Sequence, residues 1–88
     1  MPRISTFYGI GIWMYWNESE HSGRPHFYAR YGSAKASVSV DGELLAGGLP
    51  PRALALAREW AALHRDELLA NWARARSLEP LAPIAPLD

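Results

Sequence analysis

Residues 49–72 read LPPRALALAREWAALHRDELLANW, and this stretch decides the fold. The proline pair near its start suits the first turn of a helix, where a backbone N–H has no helical partner to lose. At the helical interval of about 100° per residue, most apolar residues fall on one arc and most charged residues on the other. The sequence therefore predicts one long helix over residues 50–76, with a core-forming arc that includes Trp60, Leu63, Leu68 and Trp72.

The same helix carries three polar side chains on its apolar side, His64, Glu67 and Asn71. Their spacing stacks them within reach of one another. One interpretation is a structural polar cluster that ties the helix to the backbone of a strand or loop. The other is a site in which the His64–Glu67 pair orients an imidazole for proton transfer or helps to hold a metal. The pattern favours the structural cluster.

Four segments upstream of the helix alternate apolar and polar residues with the period of a strand. Their connections are short, which favours antiparallel neighbours. The Asp41-Gly42 pair predicts a tight hairpin turn with positive φ at both positions. We expect an α+β fold, in which an antiparallel three- to four-stranded β-meander precedes one long C-terminal helix packed on one sheet face. The predicted strands are residues 7–16, 26–31, 34–40 and 43–46.

The end of the chain repeats proline every three residues, at Pro80, Pro83 and Pro86. Polyproline II has three residues per turn, so apolar residues at the same interval would form one stripe. We favour a strap along the chain's own domain over insertion into a partner or a second copy. The stripe consists of Leu78, Leu81, Ile84 and Leu87.

If Phe27 and Ala29 face the helix, the alternate residues of their strand point to the opposite side of the sheet. A lysine from the next strand and, depending on register, aromatic residues of the first strand would join them. Aromatic and basic side chains on a sheet are typical of protein interfaces and of RNA-binding surfaces, and they also occur on solvated faces without function. The predicted binding face consists of Trp13, Tyr15, His26, Tyr28, Arg30 and Lys35.

Composition removes several classes of function. Nine Lys and Arg residues balance nine Asp and Glu residues, so there is no excess positive field to attract nucleic acid. The absence of cysteine excludes disulfides, thiolate zinc sites and cysteine nucleophiles. No stretch approaches the roughly 20 apolar residues of a membrane span, and the start lacks the apolar region of a signal peptide. We therefore expect a cytoplasmic protein with no membrane partner.

The 88 residues suffice for a single domain, with the meander in 1–48, the helix in 50–76 and an extended proline-rich tail in 77–88. The chain has no glycine-rich phosphate loop or nucleophile elbow, and no cofactor is expected. A metal site is conceivable from His21 and His26 with Glu18 or Glu20. Since these residues lack a regular ligand spacing, none is predicted.

The chain contains MPRISTFYG at residues 1–9, PHFYARYG at 25–32, LPPRAL at 49–54, and the helical segment 60–72. Together these segments resemble a family of small bacterial proteins called domain of unknown function 4160, and the resemblance covers nearly the whole chain. It implies no reaction, because the family has none established. It implies a partner instead, since members often look like one half of a two-protein cassette with domain of unknown function 2442, a pairing suggestive of toxin–antitoxin systems.

One departure from the family pattern bears on chemistry. The family commonly has Pro-His-Phe-His where this chain has Pro25-His26-Phe27-Tyr28, and its preceding loop is shorter. A metal or acid–base site that needs both imidazoles would be damaged by this change. A stacking or interface role would tolerate it, so the departure favours a binding module over an enzyme.

Three hypotheses follow. The leading one is a protein-binding module of a toxin–antitoxin-like cassette that binds a cognate small protein through the sheet face and the tail. The second is an RNA-directed toxin or nuclease, and the third is a self-associating structural module that forms a homo-oligomer. The nuclease would use His26, Tyr28, Arg30 and His64 for acid–base chemistry and phosphate binding, and Glu67 beside His64 is a further catalytic candidate.

Overall fold

The computed structural model describes residues 3–16 and 23–88. Within them the strands are β1 (Arg3–Phe7), β2 (Ile10–Trp13), β3 (His26–Tyr31), β4 (Ala34–Ser39) and β5 (Leu44–Gly48), and the helices are α1 (Pro51–Leu63) and α2 (Arg65–Arg76). All neighbouring strands pair antiparallel in chain order. This confirms the predicted α+β class and the meander.

The prediction of three to four strands is wrong because residues 7–16 do not form one strand. The chain reverses at Tyr8 and Gly9, whose φ angles are 49° and 79°, so that Phe7 pairs with Ile10. Positive φ at both central residues is the geometry of the tightest hairpin turns. The signal is easily missed, since Tyr8 stands where asparagine or aspartate is usual.

The predicted tight turn at Asp41-Gly42 is also corrected. Only Gly42 has a positive φ, of 95°, and the connection between β4 and β5 is longer than two residues. Each helix contributes one arginine that bonds to this connection. The Arg58 Nε donates a hydrogen bond to the Gly42 carbonyl at 2.8 Å, and the Arg65 guanidinium pairs with the Asp41 carboxylate at 3.1 Å.

The predicted single helix is two helices, divided at His64, where φ is −118° and ψ is 27°. A straight helix from Pro51 to Arg76 would be about 39 Å long at about 1.5 Å per residue. That length exceeds the longest dimension of the fold, 33 Å, so an unbroken helix would leave the sheet it packs against. Neither helix in the described part of the chain is long and apolar enough to cross a membrane.

The break has a local electrostatic basis as well. Asp66 and Glu67 occupy the first turn of α2, where carboxylates interact favourably with the helix dipole. The break also leaves Leu63 67% exposed, which corrects its predicted place in the core. The other three residues of the predicted arc, Trp60, Leu68 and Trp72, are buried.

The core lies between one face of the sheet and the helices. Trp60 is fully buried, with its ring centroid 5.3 Å from that of Phe7 in β1 and 5.7 Å from that of Phe27 in β3. Alternate residues of the strands fill the remaining space, as the strand period requires. The buried apolar residues on this side of the sheet include Ile10, Ile12, Ala29, Ala36 and Val38.

The proline-rich tail docks on its own chain. The Asn71 side chain donates to the Ala82 carbonyl at 2.8 Å and accepts from the Ala82 N–H at 2.9 Å. The Trp60 indole N–H donates to the Ala85 carbonyl at 2.9 Å. The Ile84 N–H donates to the Ile4 carbonyl at 2.8 Å, so the tail also follows β1. This arrangement is the strap predicted from the proline spacing.

The four residues of the apolar stripe differ in how deeply they are buried. Ile84 is buried, and Leu81 and Leu87 pack against the core at intermediate exposure. Leu78 is 91% exposed and has a φ of 58°. It belongs to the end of α2 rather than to the stripe. The Leu78 N–H bonds to the Ala75 carbonyl and the Glu79 N–H to the Arg74 carbonyl, which is the Schellman pattern with leucine where glycine is preferred.

We expect Leu78→Gly to stabilise the protein by about 1 kcal/mol, because glycine adopts positive φ without the Cβ clash that leucine has there. Urea unfolding monitored by circular dichroism gives the free energy. Leu78→Ala is the matched control, since it removes the exposed apolar surface and keeps the Cβ. An equal gain in both variants would contradict the backbone explanation.

We expect Asn71→Ala to lower the free energy of unfolding by about 1–3 kcal/mol, because it removes the two hydrogen bonds by which a fully buried amide holds the backbone of Ala82. The matched control is Arg74→Ala. Arg74 also bonds to the Asn71 amide oxygen, but its removal keeps the bonds to the tail. Equal losses in the two variants, measured by urea unfolding, would show that the tail bonds add little.

Candidate binding face of the sheet

Strand register sets two parallel rows of residues on the sheet face opposite the core. One row crosses four strands from Trp13 through Tyr28 and Ser37 to Ala46, and it runs from large to small side chains. The other row is Gly11, Arg30, Lys35 and Gly48, with the two cations between glycines. We call this surface the open face.

The gradient in side-chain size makes the open face concave. The concavity has a volume of about 520 Å³, which is within the range of small-molecule and peptide sites. The residues that line it lie in β2 to β5, except Tyr15, which follows β2. Those with side chains on the open face are Trp13, Tyr15, Tyr28, Arg30, Lys35, Ser37 and Ala46.

Aromatic rings form the higher wall of the concavity. Tyr15 and Tyr28 stack with ring centroids 4.9 Å apart and an interplanar angle of 7°. The Trp13 indole lies across Gly11, and the Arg3 guanidinium is 4.9 Å from its ring centroid. A Cβ on Gly11 would lie only 2.5 Å from the Trp13 Cη2, so the position of the indole depends on this glycine.

Among the described residues, the charged side chains on or beside the open face are all cations. Arg30 and Lys35 are exposed, and Arg3 lies beside the aromatic wall. The ion pairs seen in residues 3–16 and 23–88 join Arg24 to Glu43, His64 to Glu67 and Arg65 to Asp41, and none includes a cation of the open face. In the described part of the chain these cations are therefore available to carboxylates of another molecule.

His26 lies under the edge of this surface rather than on it. Its ring is fully buried and packs 5.1 Å from that of Trp72 in α2. The Nδ1 atom bonds to the Arg24 carbonyl at 2.7 Å, and Nε2 bonds to the Tyr28 hydroxyl at 3.1 Å. A carbonyl only accepts, so Nδ1 carries a proton, and in a neutral ring Nε2 accepts from Tyr28. The predicted place of His26 on the binding face is thus corrected, since the ring is buried and bonds to Tyr28 of the open face.

The three polar residues of the helix separate into two groups. The His64 Nδ1 bonds to the Glu67 Oε1 at 2.6 Å beside the helix break, and the His64 ring lies against Trp60. Asn71 is fully buried and holds the tail. The described contacts of His64 and His26 have no residue in common.

No group of three His, Cys, Asp or Glu side chains in residues 3–16 and 23–88 is placed to hold a metal ion. The conceivable ligands His21, Glu18 and Glu20 lie outside the described residues.

The fold and the open face define a class of protein, an α+β domain with a five-stranded antiparallel meander covered on one face by two helices. Within that class, the chain belongs to the family described as domain of unknown function (DUF4160), whose sequence profile matches residues 9–73. This confirms the resemblance found in the sequence. No curated protein and no solved structure matches the chain.

Sequence reasoning missed the part of the open face contributed by β5. Ala46 and Gly47 line the concavity, yet neither carries a polar group that attracts notice. Gly47 has a φ of 72°, and a Cβ there would collide with the Lys35 carbonyl. The two adjacent glycines at 47–48 were the available signal, since glycine inside a strand often marks a bulge or a close backbone approach.

We expect Gly11→Ala to move the Trp13 indole off the strand with a change of less than about 1 kcal/mol in unfolding free energy, because the clash is with the far end of a side chain. In an amide correlation spectrum the Trp13 indole N–H resonance should shift, while those of Trp60 and Trp72 stay. Gly48→Ala is the control, as nothing lies within 4 Å of its Cβ position. An unmoved Trp13 resonance in Gly11→Ala would contradict this geometry.

Proposed function

We propose that this chain is a protein-binding module of a two-component, toxin–antitoxin-like bacterial cassette, and that its binding surface is the open face. The observation that carries the proposal is the concavity with an aromatic wall and with cations that no described carboxylate pairs. Tyr, Trp and Arg are the residue types enriched at protein interfaces and at their energetic centres.

The charge balance of the chain supports a protein partner over a nucleic acid. The net charge is zero, so the three cations of the open face, Arg3, Arg30 and Lys35, are balanced by an excess of acidic side chains elsewhere in the chain. Nucleic-acid binding draws most of its affinity from many phosphate contacts. Three cations beside an apolar concavity suit a partner with a few carboxylates around apolar side chains.

The identity of the partner is part of the proposal. Family members often look like one half of a cassette with a protein of domain of unknown function 2442, and we propose a protein of that kind as the cognate partner. The tail was a second candidate surface for the complex. Since it is bonded to Asn71, Trp60 and Ile4 of its own chain, we place the complex on the open face alone.

The other two hypotheses gain no support from the site. A nuclease that used His26 and His64 together would need both imidazoles near one substrate, whereas one is buried beside Tyr28 and the other is paired with Glu67. Self-association through the tail would need the apolar stripe to be available. In this structure most of that stripe packs on its own core.

We expect the chain to co-purify with the product of the neighbouring gene and to bind it with a micromolar or lower Kd. Lys35→Glu and Arg30→Glu should each weaken binding about tenfold, which is about 1.4 kcal/mol, because each reverses a charge at the contact. Isothermal titration calorimetry measures the affinity, and urea unfolding shows whether each variant is folded.

Arg52→Glu is the matched control, since it makes the same charge change at an exposed position in the first turn of α1. No association at micromolar concentration would reject the proposed function. Equal weakening by Arg52→Glu and Lys35→Glu would show that the complex forms but that the open face is not its surface.

A further inference from the structure

The two edge strands of the sheet differ in whether another segment is hydrogen-bonded to their outer side. The tail runs beside β1, where the Ile84 N–H bonds to the Ile4 carbonyl. At the opposite edge, β5 pairs with β4 on one side, and no backbone group in residues 3–16 or 23–88 is hydrogen-bonded to its outer side. An edge strand presents alternate N–H and C=O groups outward, which another strand can pair with.

The residues of β5 do little to prevent such pairing. The strand reads Leu-Leu-Ala-Gly-Gly, with no charged side chain and no proline. Natural edge strands commonly carry lysine or proline, which discourage the addition of a further strand. Two irregularities are present, a register shift opposite Ser37 and Val38 and the positive φ of Gly47, 72°. Beyond the shift, Ala46, Gly47 and Gly48 still pair one for one with Ser37, Ala36 and Lys35, so this part of β5 keeps a register that an added strand can follow.

The rows of the open face end at this same edge. The aromatic row ends at Ala46 and the cationic row ends at Gly48. A strand added beside β5 would place alternate side chains on the open face, next to these two residues. Neither has the bulk to block a side chain that reaches inward across β5.

The charge of Lys35 and its distance from the edge of the sheet indicate which side chains an added strand should carry. Lys35 is on β4, two strand spacings or about 10 Å from the axis of a sixth strand. A glutamate in the cationic row could reach across Gly48 toward its ammonium group. An aromatic or aliphatic residue two positions away would lie in the other row, over Ala46 and toward the Tyr28 wall.

We propose that an extended segment of the protein partner adds to β5 as a sixth strand, with an acidic residue in the row of Lys35 and an apolar residue two positions away in the row of Ala46. This inference rests on the proposed function and gives the binding mode and the chemistry of the partner. Main-chain bonds provide affinity in such complexes, and side chains on the shared face provide selectivity.

The test uses the full chain and a short synthetic peptide with glutamate and tyrosine two residues apart among valine and threonine. One control peptide replaces glutamate with lysine. Another is N-methylated at alternate residues, which removes the donors that would pair with β5. We expect the glutamate peptide to slow amide hydrogen exchange at the outward N–H groups of β5 and to bind at least about tenfold more tightly than either control.

A charge swap tests the selectivity. In Lys35→Glu the lysine peptide should bind more tightly than the glutamate peptide, with the same protection of β5. No protection of β5 by the glutamate peptide at about 1 mM, or equal binding of the N-methylated peptide, would overturn the inference. Protection of β5 that grows with protein concentration, without peptide and together with dimer formation in light scattering, would also overturn it, because the occupant would be a second copy of the chain.

Failure of the inference is distinguishable from failure of the proposed function. If the cognate protein binds and Lys35→Glu weakens the complex, while β5 amides exchange as fast in the complex as alone, the function holds and the added strand is wrong. If the peptide protects β5 but the cognate protein does not bind at all, the strand-pairing surface is real and the cassette function is wrong.

Discussion

The burial of Trp60 is the interaction on which the rest of the structure depends. Its ring lies on Phe7 and Phe27, so it joins α1 to two strands that the chain separates widely. Its indole N–H is satisfied by the Ala85 carbonyl, which brings the tail to the same place. A buried tryptophan contributes a large apolar area, and its one polar atom requires a partner. The helix, the sheet and the tail therefore meet at this side chain.

Among the described residues, the helices and the tail cover one face of the sheet and leave the other open. Both helices and the tail pack on the side of Phe27, and the tail also follows the outer edge of β1. On the opposite side, small residues in β5 and aromatic residues in β2 and β3 make a concave surface with exposed cations. The buried His26 joins the two sides, since it packs on Trp72 and bonds to Tyr28. A substitution in the core that moves His26 would therefore also move Tyr28 on the open face.

Much of the fold could be predicted. The errors fall where the chain turns or a helix breaks without the residue types that usually mark such positions. Period-two alternation found β3 and β4 at nearly their true bounds, and the proline spacing gave the strap. The turn at Tyr8 was missed because an aromatic residue in a left-handed conformation has no strong local signal. The helix break at His64 has neither proline nor glycine to mark it. Of the predicted binding face, all but His26 lies on one surface, whereas the contribution of Ala46 and Gly47 depends on register with β4.

The sequence by itself determined β3 and β4, a helix that begins at the proline pair, and the family, because periodicity, turn chemistry and motifs are local properties of a chain. Only the tertiary structure decided that His26 is buried, that Asn71 holds Ala82, and that the rows of the open face end at β5. Each of these depends on which distant groups meet when the core closes. The nearest neighbours of a side chain in space are set by packing and register, and the residues beside it in sequence do not encode them.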